Sequence, residues 1–166
     1  MLRVLLALSL LLSTSACGTS AAKPRPMDRQ IALASVDAAL DLLHAHAAKA
    51  EGDAYFALFD EDAVFYGTDA SERWSLAEFR AYAEPIFASG RGWEYTSLER
   101  NLFVDASADT AWFDERLRND KYGEVRGSGV LVRRGEAWKI AQYNLAFPVP
   151  NELAPDLVER IRALPR

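Results

Sequence analysis

The stretch Thr110 to Phe147 constrains the fold most. It reads as strands in series: Thr110–Asn119, Glu124–Arg134 and Ala137–Phe147. The joining segments, Asp120-Lys-Tyr-Gly123 and Gly135-Glu136, have turn chemistry and are too short to hold a crossover helix. The segment is therefore an antiparallel meander, and a meander with one apolar face needs a cover.

The upstream chain supplies helices. Asp28–Ala50 reads as one, with Leu33, Val36, Leu40, Leu43 and Ala47 at spacings of three and four and Asp28 as N-cap. Its histidines, His44 and His46, are two apart and do not share a helical face, so they cannot chelate one metal together. His44 flanks the apolar stripe, which leaves two readings: a cavity-lining group or a rim histidine. Asp53–Phe59 reads as a short helix and Ala63–Tyr66 as a strand, followed by the turn-forming Gly67–Ala70. Ser75-Leu-Ala-Glu78 is a capping box opening a helix to Ser89, in which Pro85 should produce a kink or an early end. Trp93–Val104 reads as a long strand. After Phe147, Pro148-Val-Pro150 cannot continue a central strand, and a short helix with Leu153, Leu157, Val158, Ile161 and Leu164 apolar should close the chain. Helices gathered early and antiparallel strands late define an α+β fold.

The first residues follow other rules. Arg3, the apolar run Val4–Leu12 and the small residues Ser13–Ala16 form a signal peptide over 1–16, too short to span a bilayer permanently. Cys17 is the sole cysteine, so no internal disulfide can form. Thr14-Ser-Ala-Cys17 resembles a bacterial lipoprotein box, although Thr14 stands where leucine is usual. The resemblance implies lipidation at Cys17, a tether over 17–27 and a folded domain over 28–166. The alternative is simple secretion with a free thiol. Gly18 after the cysteine resembles the pattern of proteins sent to the outer membrane, which implies a lipid-anchored protein of the cell envelope facing the periplasm.

Length, 166 residues, is that of one domain. A net charge of -5 and the lack of any Lys/Arg cluster argue against nucleic acid as a partner. No His/Cys/carboxylate set stands at metal spacing, no phosphate-cradling glycine loop or nucleophile elbow is present, and no cofactor is expected.

Several segments resemble the nuclear transport factor 2 superfamily, and within it the SnoaL-like domains. Gly52-Asp53-Ala54 and Ala63-Val-Phe65 resemble that family's opening, and Trp138-Lys-Ile140 its last strand. Ala111–Glu115, Arg126–Val130 and Gln142–Leu145 resemble one SnoaL-like subgroup. The likeness covers about Ile31 to Pro150. It implies a cone: a curved antiparallel sheet wrapped on N-terminal helices, an apolar pocket on the concave face, and pairing of two copies through the outer sheet face. It does not choose a function, because the superfamily includes enzymes, binders and assembly modules.

Side-chain alternation then nominates a site. Ala111, Phe113, Glu115 and Leu117 form an apolar face interrupted by one carboxylate, whereas Trp112, Asp114, Arg116 and Arg118 suit solvent or a partner subunit. A carboxylate on a core face must be paired, hydrogen-bonded or neutral. Glu115 is accordingly the candidate catalytic residue, with Asp114 as the fallback if the faces are exchanged. Arg126, on the next strand, is its expected partner. Three readings of Glu115 compete: a general base, a ligand anchor with Arg126, or a structural ion pair. Gln142 and Asn144, where relatives often carry cavity histidines, are candidate ligand-orienting amides. Tyr66 and Trp74 are candidates for the pocket mouth, and Asp69 and Tyr95 are further ligand-binding candidates. Gly127 and Gly129 should permit a bend or a close approach. The expected function is binding of a small apolar or amphipathic molecule. The alternatives are an isomerase- or lyase-type enzyme with a pocket carboxylate as base, and a non-catalytic assembly module using Trp112, Arg116 and Arg118.

Overall fold

A computed structural model describes residues 27–165. The expected signal peptide, Cys17 and the tether as far as Pro26 lie outside the described residues.

Helix α1 runs Arg29–Ala48, capped by the Asp28 carboxylate, which accepts from the Gln30 and Ile31 amides. Val36, Leu40, Leu43 and Ala47 on its inner face are buried, as the spacing predicts. Helix α2 is short, Gly52–Phe56. Strands β1 (Phe59–Tyr66) and β2 (Arg73–Ser75) precede helix α3, Leu76–Ala88. Both halves of the α3 capping box are formed, Ser75 with the Glu78 amide and Glu78 with the Ser75 amide. Then come β3 (Thr96–Val104), β4 (Thr110–Asn119), β5 (Gly123–Arg134), β6 (Ala137–Ala146) and helix α4, Ala154–Arg162.

The strands form one curved sheet in the order β2-β1-β6-β5-β4-β3. The β3–β6 ladder is the antiparallel meander read from the turns. β1 joins the free edge of β6 in parallel. That pairing begins earlier than the alternation suggested, because Phe59 lies opposite Ile140 and belongs to the strand rather than to the second helix. β2 escapes sequence reading because a strand so short carries no period. Pro85 does not end α3: the carbonyl deprived of its partner would be that of Ala81, which is solvent-exposed.

Helices α1, α2 and α3 cover the concave face. The core joins Leu40, Leu43, Tyr55, Phe56, Phe59 and Phe79 to Phe113, Leu131, Ile140 and Tyr143. The sheet approaches itself closely at two glycines. A Cβ on Gly127 would lie 2.5 Å from the Tyr143 Oη and 3.0 Å from Glu115 Oε1, and one on Gly129 would lie 2.1 Å from the Gln142 carbonyl oxygen. α4 stands apart, with no buried residue and with Leu153, Ile161 and Leu164 exposed.

One irregularity relocates the expected site. Val130 pairs with Gln142 and Leu131 with Ile140, so Ala141 is an extra residue on β6. Before this bulge Trp138 and Ile140 face inward. After it Tyr143 is the buried residue and Leu145 packs on the core, while Gln142 is exposed. A one-residue slip moves every following side chain to the other face. Gln142 and Asn144 therefore sit on the convex side.

Candidate active site

β4 places Glu115 as the alternation predicts. Ala111, Phe113, Glu115 and Leu117 are all buried, and Glu115 is 0% exposed. Asp114 is on the opposite face, where its carboxylate accepts from Asn101 Nδ2 at 3.1 Å.

Arg126 is not the partner of Glu115. In the β4–β5 register Glu115 faces Gly127, and Arg126 faces Arg116 on the outer side. An arginine one residue away along a strand points the wrong way. The glycine opposite leaves room for the carboxylate and for the Tyr143 hydroxyl, which a side chain would displace.

The partners come from β3 and α1. Arg100 lies opposite Glu115 on β3, and its Nε donates to Glu115 Oε2 at 2.9 Å. On the other oxygen, His44 Nε2 lies at 2.8 Å and the Tyr143 hydroxyl donates at 3.3 Å. Asp37, Asp41 and His44 recur at four and three residues, so they share one helical face beside the apolar stripe. Asp37 and Asp41 both accept from Arg100 Nη1, the latter at 2.8 Å. The result is a continuous charged string from the α1 surface to the buried glutamate.

Burial by itself would raise the Glu115 pKa. The hydrogen bond and charge of His44, with the charge of Arg100, outweigh it and hold the carboxyl below the usual range. Glu115 is thus an ionised acceptor, and a poor general base. Burial, followed by the charge of Glu115, pushes the Tyr143 phenol well above its ordinary value, so it remains a donor. Because an ionised carboxylate can only accept, His44 Nε2 carries the shared proton. In the neutral ring Nδ1 then holds the lone pair.

His44 also lines a cavity of about 210 Å³. The cavity is enclosed by Leu43 and Ala47 of α1, by Tyr55 and Phe79, by Phe65 and Trp74 of the β1–β2 pair, and by Tyr143 and Leu145 of β6. Trp93, Tyr95, Tyr82, Tyr122 and Phe147 complete the wall and rim, with Gly67, Thr68 and Glu72 at one side of the mouth. Phe65 and Tyr143 are stacked, centroids 5.5 Å apart. Burial pushes the Tyr95 phenol up to about 12 and raises that of Tyr55 further.

Of the residues nominated from sequence, Trp74 and Tyr95 line this cavity. Tyr66, Asp69, Arg126, Gln142 and Asn144 do not. Phe65 takes the inner side of β1, so Tyr66 turns outward, with the Arg73 guanidinium 5.8 Å from its ring centroid. Asp69 closes on its own turn by accepting from the Ser71 amide and hydroxyl. Sequence reasoning missed Arg100, Tyr143 and the Asp37/Asp41 pair, and it weighed His44 without its partner. The spacing of Asp37, Asp41 and His44 was the available signal. Among the described residues, no group of three or more His, Cys, Asp or Glu side chains is placed to hold a metal ion.

With this geometry in hand, the class is clear: a helix-covered curved sheet around an aromatic cavity with a buried carboxylate. The SnoaL-like domain model matches residues 36–150, and the chain belongs to that family. An NTF2-like protein of unknown function from Pseudomonas putida KT2440 superposes with TM-score 0.61 at 12% identity, covering 74% of this chain and 91% of that one. A candidate scytalone dehydratase from Novosphingobium aromaticivorans gives 0.60 at 13%, covering 72% and 86%. A candidate dehydratase of the NTF2-like family from Streptomyces avermitilis gives 0.61 at 13%, covering 73% and 99%. At these identities the likeness is one of fold. A search of curated proteins finds no match.

Proposed function

We propose that the domain binds a compact aromatic or amphipathic molecule in the concave cavity, with His44 as a polar group on its inner wall. The observation that carries this reading is the His44–Glu115 contact of 2.8 Å at the wall of an aromatic chamber. A cavity of about 210 Å³ suits one or two rings, since an engineered cavity of ~150 Å³ takes a benzene. Trp74 and Trp93 line the chamber, whereas Trp112 is on the outer face and Trp138 in the core. Titration with one- and two-ring molecules should therefore give a saturable change in tryptophan fluorescence. Leu145→Trp, which fills the chamber, should abolish it. A response that survives Leu145→Trp would place binding elsewhere and sink the proposal.

A second reading is proton transfer of the isomerase or lyase type, with His44 in the role the sequence assigned to Glu115. The buried carboxylate behind the ring favours it: Glu115 accepts from Nε2 and so fixes the orientation and tautomer of the imidazole, a standard use of a histidine–carboxylate pair. Two structural neighbours are named as candidate dehydratases, which is the same reaction class. Bound carbon acids should exchange a proton for solvent deuterium, with His44→Gln abolishing exchange. Equal exchange in both proteins would remove His44 from the chemistry.

Pairing of two copies through the outer sheet face is a third proposal. Phe103 and Trp112 are stacked there at 5.7 Å, and both are more than 40% exposed. Sedimentation at rising concentration should show a dimer that Trp112→Glu dissociates. A monomer at every concentration would remove the outer face as an interface.

A further inference from the structure

Charge is distributed unevenly around the cavity. Among the described residues, the lining contains no lysine or arginine, one carboxylate, Glu72 at the rim, and one imidazole, His44 on the inner wall. Behind His44 stand Glu115, Asp37 and Asp41, with Arg100 as the cation shared among them. The chain as a whole carries a charge of -5.

The rim is built around the Glu72 side chain. The Asp69 amide donates to Glu72 Oε2 at 3.1 Å, and the Gly67 amide donates to the Glu72 carbonyl at 2.9 Å. Glu72 Oε2 lies 2.1 Å from where a Cβ on Gly67 would be, so the glycine makes room for this carboxylate. Beside it are π surfaces. Trp74 and Tyr82 stack at 4.8 Å, and Tyr122 meets Phe147 edge-on at 5.4 Å. Lys121 Nζ lies 4.8 Å from the centroid of Tyr122, a ring shared by this cavity and the neighbouring groove. The nearby cations Arg91, Arg118 and Lys121 line a separate groove beyond Trp93 and Tyr122, together with Glu94 and Asp120.

We infer that the cavity selects small aromatic amines: the ring lies within the aromatic chamber and the protonated nitrogen sits at the mouth, against the Glu72 carboxylate and the Trp74/Tyr82 rim. This rests on the binding reading above and adds the charge of the ligand. A carboxylate facing aromatic rings suits an ammonium twice over, by ion pairing and by attraction to the ring quadrupole. An anionic ligand of the same size would meet Glu72 with no lining cation to offset it.

The test uses phenethylamine, 2-phenylethanol and 3-phenylpropionate, which share a ring and differ in the charge of the arm. Calorimetry with the folded domain should show the amine binding at least ~10-fold tighter than the carboxylate, a difference of about 1.4 kcal/mol. In Glu72→Gln the ratio of amine to alcohol affinity should fall toward one, and Glu72→Lys should turn the preference toward 3-phenylpropionate. Alcohol binding with no amine preference, or a preference that persists in Glu72→Gln, overturns the charge assignment while leaving the cavity as a binding site. No binding of any of the three at millimolar concentration overturns both.

Discussion

Glu115 and Asp114 are neighbours on one strand, and their environments have little in common. Glu115 points into the concave side, is fully buried, and is held by His44, Arg100 and Tyr143. Asp114 points to the convex side and meets one asparagine amide. The same functional group is a structural keystone on one face and a surface decoration on the other. The sheet's two-residue period decides which is which.

The largest expected effect comes from breaking the inner half of this pair. Glu115→Ala leaves the His44, Arg100 Nε and Tyr143 donors without their buried acceptor, although Arg100 keeps Asp37 and Asp41, and should destabilise the domain by about 3 kcal/mol. Asp114→Asn should cost less than about 1 kcal/mol. Urea denaturation of both variants measures the contrast, and similar losses would dissolve it. Next is the strand opposite. Gly127→Ala pushes a methyl against Tyr143 Oη and should cost about 1–3 kcal/mol by overpacking. Its outward neighbour Ser128→Ala should stay within about 0.5 kcal/mol, measured the same way.

Acid sharpens the comparison further. The Glu115 pKa is depressed in the folded state, so the stability it contributes is fully present above the unfolded value, close to 4.5. That stability is lost as pH falls through the folded value. Denaturation curves should therefore steepen in their pH dependence below about pH 4.5, and Glu115→Gln should flatten this limb. Asp114→Asn should leave it in place. The smallest effect concerns α4, which buries nothing. Removing residues after Pro150 should change the stability of the monomeric domain by less than about 1 kcal/mol by urea denaturation. A larger loss would mean that α4 packs on the domain in solution.

Much of this fold is legible in the sequence because its signals are local. The capping box at Ser75, the α1 stripe and the meander turns each involve a few adjacent residues, and each formed where expected. Glu115 was legible for the same reason: a carboxylate breaking an apolar alternation is visible along one strand. Its partners were not. Arg100 is fifteen residues away and His44 seventy-one, and only the β3–β4 register and the docking of α1 bring them in. The choice of Arg126 failed because proximity in a neighbouring strand does not fix the face. Gln142 and Asn144 failed because the Ala141 bulge is a backbone event that the alternation does not announce.

What the sequence by itself determined is most of the elements, their periods and a carboxylate on β4 that had to be compensated. Those follow from propensity, turn chemistry and the cost of burying charge, all of which act over a few residues. Only the tertiary structure decided what compensates that carboxylate, which aromatic residues close the chamber, and that Glu72 rather than Asp69 stands at its mouth. These depend on strand register, on one inserted residue and on the angle at which a helix meets a sheet. They are set by packing across the whole domain, and no short window of sequence contains them.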